Sequence, residues 1–135
     1  MFRKSAVFLL ILLFGIVTTS YSLTWQDSVT AGADYLLQFQ NNDGGFPWKV
    51  TNPDPNTYDP NNQSPPNTLG ATARGLVASY SLTGENRFLV AANDIAGLIE
   101  NRYDNNISIG SYGPPFFNKD IEFAYELADA GGLNI

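Results

Sequence analysis

Between residues 40 and 48 the chain reads Gln-Asn-Asn-Asp-Gly-Gly-Phe-Pro-Trp, a stretch through which no regular element continues. Successive glycines admit positive φ at a helix C-terminus, and the short side chains of Asn42 and Asp43 can bond the backbone groups that the helix end leaves open. An amphipathic helix therefore stops here, and two aromatics, Phe46 and Trp48, return toward the core. Asp43 reads as a helix-end cap. The rest of the chain reads as helices placed by this turn.

Thr24-x-x-Asp27 is a capping box, and Trp25, Val29, Ala33, Leu36 and Leu37 follow at helical spacing as far as Gln40. From 44 to 67 proline, asparagine, aspartate and tyrosine dominate, which predicts a long loop. Asn67 or Thr68 caps a second helix with apolar positions Leu69, Ala73, Leu76, Val77 and Tyr80, stopped at Gly84. A third carries Phe88, Ala92, Ile95, Ala96, Ile99 and Tyr103, so helices two and three are expected to form an antiparallel hairpin. After a loop over 104–117, Asn118 caps a fourth helix whose stripe is Ile121, Ala124, Tyr125 and Ala128, closed by Gly131-Gly132. The fold class is all-α. Trp25, Leu36, Leu37, Leu76, Val77, Ile95 and Ile99 are the expected core. Laying Val29-Thr30-Ala31 on Val90-Ala91-Ala92 relates helices one and three at an offset of 61, and Thr83-Gly84-x-Asn86 laid on Gly131-Gly132-x-Asn134 relates helices two and four at 48. The unit is a helix, a variable loop and a second helix, present twice.

Arg3 and Lys4 precede an uncharged apolar run from 6 to 17, followed by small residues at 18–22, the pattern of a secretory signal peptide. The run is shorter than the roughly 20 apolar residues that cross a bilayer, so residues 1–22 are expected to be a cleaved leader. The protein is then secreted, extracellular or periplasmic, with no membrane partner after cleavage. Without Arg3 and Lys4, five basic residues face thirteen acidic ones, a net charge of −8. That charge repels polyphosphates, and nucleic acid is not an expected partner. The chain has no cysteine and no histidine, which removes disulfides, the usual zinc ligands, a Ser-His-Asp nucleophile and an imidazole base.

The turn at 40–48 resembles the Q-x-x-D-G-G-F-x-x-W turn of the α/α-toroid superfamily, which includes terpenoid cyclases, protein prenyltransferase β subunits, and helical barrels of polysaccharide lyases and thioester domains. The resemblance implies antiparallel helical hairpins of an incomplete α/α toroid over residues 23–135, about two repeats where a full ring has about a dozen helices. It also implies that such a piece would be inactive alone and prone to self-association. Among specific members, the zinc site of the prenyltransferases needs cysteine and histidine, the squalene-type cyclases need a D-x-D-D run and thioester domains need cysteine, none of which this sequence supplies. Gly44-Gly45-Phe46-Pro47-Trp48-Lys49 is loosely similar to a Gly-Gly-Trp-Pro-Lys turn of one pectate lyase family. The implied function is a carbohydrate-related one, pectate-lyase-like or glycoside-hydrolase-like, with a polysaccharide as ligand; a non-catalytic extracellular binding or scaffold protein of the same fold is the alternative.

In such toroids the long loops and the first turns of alternate helices face the cavity, which singles out Arg74, Asp120 and Glu122 as candidate catalytic residues. Arg74 lies within an otherwise apolar helix, where a guanidinium must pair with a carboxylate or point into a polar cavity. Asp120 and Glu122 occupy a helix first turn, which stabilises carboxylates whatever their role, and two residues apart they do not share a face. Trp48, Lys49 and Tyr58 are the candidate substrate-binding residues: Trp48 as core wedge or stacking platform, Lys49 to neutralise a uronate. The oxygen-rich loop at 52–62 suits calcium, but its prolines and lack of EF-hand alternation leave no metal assigned, and no cofactor is identified. Asn62-Gln63-Ser64 and Asn106-Ile107-Ser108 are sequons.

Overall fold

The computed structural model describes residues 23–50, 54, 58–107 and 117–132. The leader and residues 52, 53 and 55–57 of the calcium-loop reading lie outside them. Among the described residues the chain is all-helical: α1 (Trp25–Leu37), a 3-10 turn (Pro66–Thr68), α2 (Leu69–Thr83), α3 (Asn86–Asp104) and α4 (Asn118–Asp129). None of these helices is long and apolar enough to cross a membrane.

α1 begins where the sequence puts it. The Asp27 amide donates to the Thr24 hydroxyl (3.1 Å), and the Thr24 amide donates to the Asp27 carboxylate (2.8 Å). The helix stops at Leu37 rather than Gln40, and the chain then closes a tight turn. Gln40 donates to the Gly44 carbonyl, and the Asn41 amide to the Gly45 carbonyl. Gly44 has φ 91°, and a Cβ there would lie 2.7 Å from the Asp94 carbonyl oxygen, so α3 presses against the turn at a point only glycine permits. Asp43, six residues past the helix end, caps no helix.

α2 is the hub, packing against α1, α3 and α4, while α3 also meets α4. Its neighbours come close because Gly70 is bare: a Cβ would sit 2.5 Å from the Lys119 backbone. Leu69, Leu76, Phe88, Ile95, Phe123 and Leu127 are fully buried, each stabilising the fold by about 1.5–3 kcal/mol on burial. Gly84 ends α2 at φ 73°, with its amide donating to the Tyr80 carbonyl. At the end of α4, Gly131 adopts φ 77°, and the Gly131 and Gly132 amides donate to Ala128 and Leu127, a Schellman closure.

Leu76, Val77 and Ile95 are buried as expected, with Leu36, Leu37 and Ile99 partly so. Trp25 is not: at the first turn of α1 it overhangs the core and is 56% exposed. Tyr103 also faces outward, and Arg102 takes the buried place beside it. The largest departure is in α4, whose inward face is Asp120, Phe123 and Leu127, leaving Ile121, Ala124 and Tyr125 outside. Both stripes fit a 3.6-residue period; the one carrying Phe123 and Leu127 joins the core, while the Tyr125 hydroxyl stays in water. The repeat offsets do not match the structure. An offset of 61 would match buried Ala33 with exposed Asp94, and the left-handed glycines put helix ends 47 apart, not 48.

Candidate functional site

Three polar or aromatic constellations surround the hub helix. The first lies between α2 and α4, over an open cleft of about 750 Å³ lined by Ala71, Arg74, Gly75, Lys119, Glu126 and Asp129 among others. The Arg74 guanidinium forks between two carboxylates, with Nη1 2.6 Å from Glu122 and Nη2 2.6 Å from Glu126. Its Nε also donates to Glu126, and Lys119 donates to Glu122 at 2.8 Å. The hydrogen bond to Glu126, with both carboxylate charges, raises the Arg74 pKa further above its ordinary value. The Lys119 hydrogen bond, joined by the charges of Lys119 and Arg74, holds Glu122 below the usual carboxylate range. Arg74 and Glu122 are thus brought together, as an ion-pair network shared with Glu126. The spacing of Glu126 one turn beyond Glu122 was its only mark in the sequence.

Asp120 stands apart from that network. One carboxylate oxygen accepts the Phe117 amide at the start of α4 (2.6 Å), and the other accepts the Gly70 amide in the first turn of α2 (2.9 Å). One side chain caps two helices. Burial pushes its pKa up, against the pull of those two amides and of Arg102. Neither residue expected to cap α2 does so through its side chain; the Thr68 hydroxyl instead donates to the Pro65 carbonyl. Helix α4 starts at Asn118 itself, with Phe117 in the cap position.

The second constellation is the interior of the 40–48 turn. Asp43 accepts the Gly45 amide (3.0 Å), the Ser64 amide (2.9 Å) and the Ser64 hydroxyl (2.6 Å), and pairs with Arg102 Nη2 at 3.3 Å. Arg102, 3% exposed, also donates to the Ser64 carbonyl at 2.7 Å. Among the described residues its Nη1 has no partner. Desolvation lowers its pKa, partly offset by Asp43 and Asp120. Asn41 donates to Ser64 and accepts the Tyr58 hydroxyl, while the Tyr58 ring stands edge-on to Phe39. Tyr58 therefore holds the loop to the turn, and burial raises its pKa. Arg102 was missed in the sequence although it continues the Ile95 and Ile99 stripe by one more turn. A shallow polar groove of about 630 Å³, lined by Asn42, Asn93, Asp94 and Asn101 among others, runs past the outside of the same turn.

The third constellation is aromatic. Trp48 is 70% exposed and borders a recess of about 530 Å³ walled by Tyr35, Phe39, Phe46 and Pro47, with Thr68 and Thr72 at its α2 side. Tyr35 and Phe39 hold each other edge-on at 5.1 Å between centroids. Lys49 follows directly and is exposed. Among the described residues no three histidine, cysteine, aspartate or glutamate side chains gather as metal ligands do. Comparison of the chain with protein-family models, with curated proteins and with solved structures finds no match.

Proposed function

We propose that this is an exported helical-repeat protein of the α/α-toroid type, related to carbohydrate-active enzymes, that holds an acidic polysaccharide without cleaving it by itself. In this reading α2 and α3 form an antiparallel hairpin, one of a series that lines a curved wall. The observation that carries the binding half is the exposed Trp48 indole on an aromatic-walled recess. A large apolar ring left in water next to a cavity offers a flat surface on which the C–H face of a sugar can stack. The Thr68 and Thr72 hydroxyls can meet sugar hydroxyls, and Lys49 supplies the charge that a uronate needs in a chain otherwise repelling anions. Against catalysis by the chain alone stands the state of the candidate groups. Arg74 and Glu122 neutralise one another, and Asp120 is spent on two backbone amides.

The test is calorimetric titration of the protein with oligogalacturonates and with neutral glucan oligomers. Trp48→Ala is expected to weaken oligogalacturonate binding by tenfold or more, and Lys49→Gln to weaken it and flatten its salt dependence. Undetectable binding to either glycan, or binding indifferent to Trp48→Ala, would overturn the proposal.

A further inference from the structure

α2 and α4 both end in a left-handed glycine, and superimposing Gly84 on Gly131 aligns their buried faces: Ala73, Leu76 and Tyr80 fall on Asp120, Phe123 and Leu127. The side of α2 that meets α4 carries Gly70, Arg74 and Val77, whose counterparts are Phe117, in the cap position of α4, and Ile121 and Ala124 within it. In α2 that side is covered. Gly70 abuts the Lys119 backbone, Arg74 is gripped by Glu122 and Glu126, and Val77 is buried. In α4 the matching side is apolar and bare, with Ile121 51% exposed and the adjoining Tyr125 76% exposed.

The flank of α2 that borders its cleft with α4 shows the complement. The α4 residues that grip Arg74, Glu122 and Glu126, have Gly75 and Ser79 as counterparts in α2. Gly75 is exposed, and a Cβ added to it would meet nothing within 4 Å. A large apolar side chain in the place of Arg74 thus faces small residues in the places of the two glutamates. Both halves of this contact are present on one molecule.

We propose that the Ile121–Ala124–Tyr125 side of α4 docks on the Thr72–Gly75–Ser79 edge of α2 in a second copy, repeating between molecules the contact that α2 and α4 make within one. The interface is head-to-tail, so each copy keeps one open side and association proceeds past a dimer into a ring or a row. Ile121 seats over Gly75, burying an apolar side chain against backbone, and Tyr125 covers the rim. The edge borders the Trp48 recess through Thr72, so each junction places the α4 side of one copy beside the aromatic wall of the next.

The experiment uses sedimentation velocity on the full chain recovered from the exported fraction of the expressing cell, with circular dichroism to show that the helices are kept. Wild type is expected to gain mass with concentration beyond a dimer. Ile121→Lys blocks one surface and Gly75→Arg the other, and each alone is expected to be monomeric. Should Ile121→Lys fail to fold, Tyr125→Glu blocks the same surface. An equimolar mixture of the two blocked variants retains one intact pair of surfaces and is expected to give a species of twice the monomer mass. A monomeric wild type, association that survives Ile121→Lys or Gly75→Arg, or a mixture that stays monomeric would each overturn the proposal.

Discussion

Asp43 and Asp120 are both buried or half-buried carboxylates, and what each does is set by what donates to it. Asp43 collects two amides, a hydroxyl and a guanidinium from residues up to 59 positions away. Removing it strands the Arg102 charge in the interior with only the Ser64 carbonyl. Asp43→Ala is therefore expected to cost about 3–5 kcal/mol in urea unfolding. Asp120 gives a test through pH. Its folded pKa is raised above the ordinary aspartate value of 3.8, so the folded chain binds the proton more tightly than the unfolded one. Its contribution to stability is present in acid and is lost as pH rises from 3.8 through the folded value. The unfolding free energy of wild type minus that of Asp120→Asn is expected to fall across that window. A difference that rises with pH would mean that the two amides outweigh burial. Asp27 has the opposite sign: its pKa is lowered by the Thr24 amide and hydroxyl, so the stability it gives is present above 3.8 and is lost as pH falls through its folded value.

At the scale of elements, α2 decides the packing. Leu76 sits at its centre, 1% exposed, in the core cluster to which α3 brings Phe88 and Ile95 and α4 brings Phe123 and Leu127. Leu76→Ala is expected to cost about 2–5 kcal/mol, the spread set by how far the neighbours collapse into the space. Trp25→Ala, at the overhanging start of α1, is expected to stay within about 0.5 kcal/mol despite removing a larger side chain. Thermal or chemical unfolding of the pair distinguishes burial from size. The helices themselves were legible from local rules: the capping box, the apolar spacing and the left-handed glycines at 84 and 131. The face that α4 turns inward was not, because two stripes of equal period competed and only the packing of α4 on α2 and α3 chose between them.

For the whole molecule, Arg74 and Glu122 lie on an open surface while Asp120 is buried, so the candidate groups do not surround an enclosed bond. Arg74, Glu126 and Lys119 border a cleft on one side, and the Trp48 recess lies on the α1 side of α2. Acid–base catalysis needs groups fixed on both sides of a reacting bond with water excluded. The chain is accordingly expected to leave pectin and polygalacturonate uncut with or without calcium, and Arg74→Ala to leave that unchanged. Viscometry and the ultraviolet absorbance of unsaturated uronates measure it. Shortening of either polymer that disappears in Arg74→Ala would show instead that the ion-pair network opens to substrate.

The sequence by itself determined the all-helical class, the helix boundaries to within a few residues and the turn at 40–48, since these follow from backbone preferences and contacts a few residues apart. Tertiary structure alone decided the partners of the charged groups. Arg74 meets Glu122 and Glu126, Arg102 meets Asp43, and Asp120 meets Gly70 across separations of 48 to 59 residues. Such pairs depend on how helices are phased and stacked, and a charge in a sequence carries no mark of which distant opposite charge the packing will bring to it.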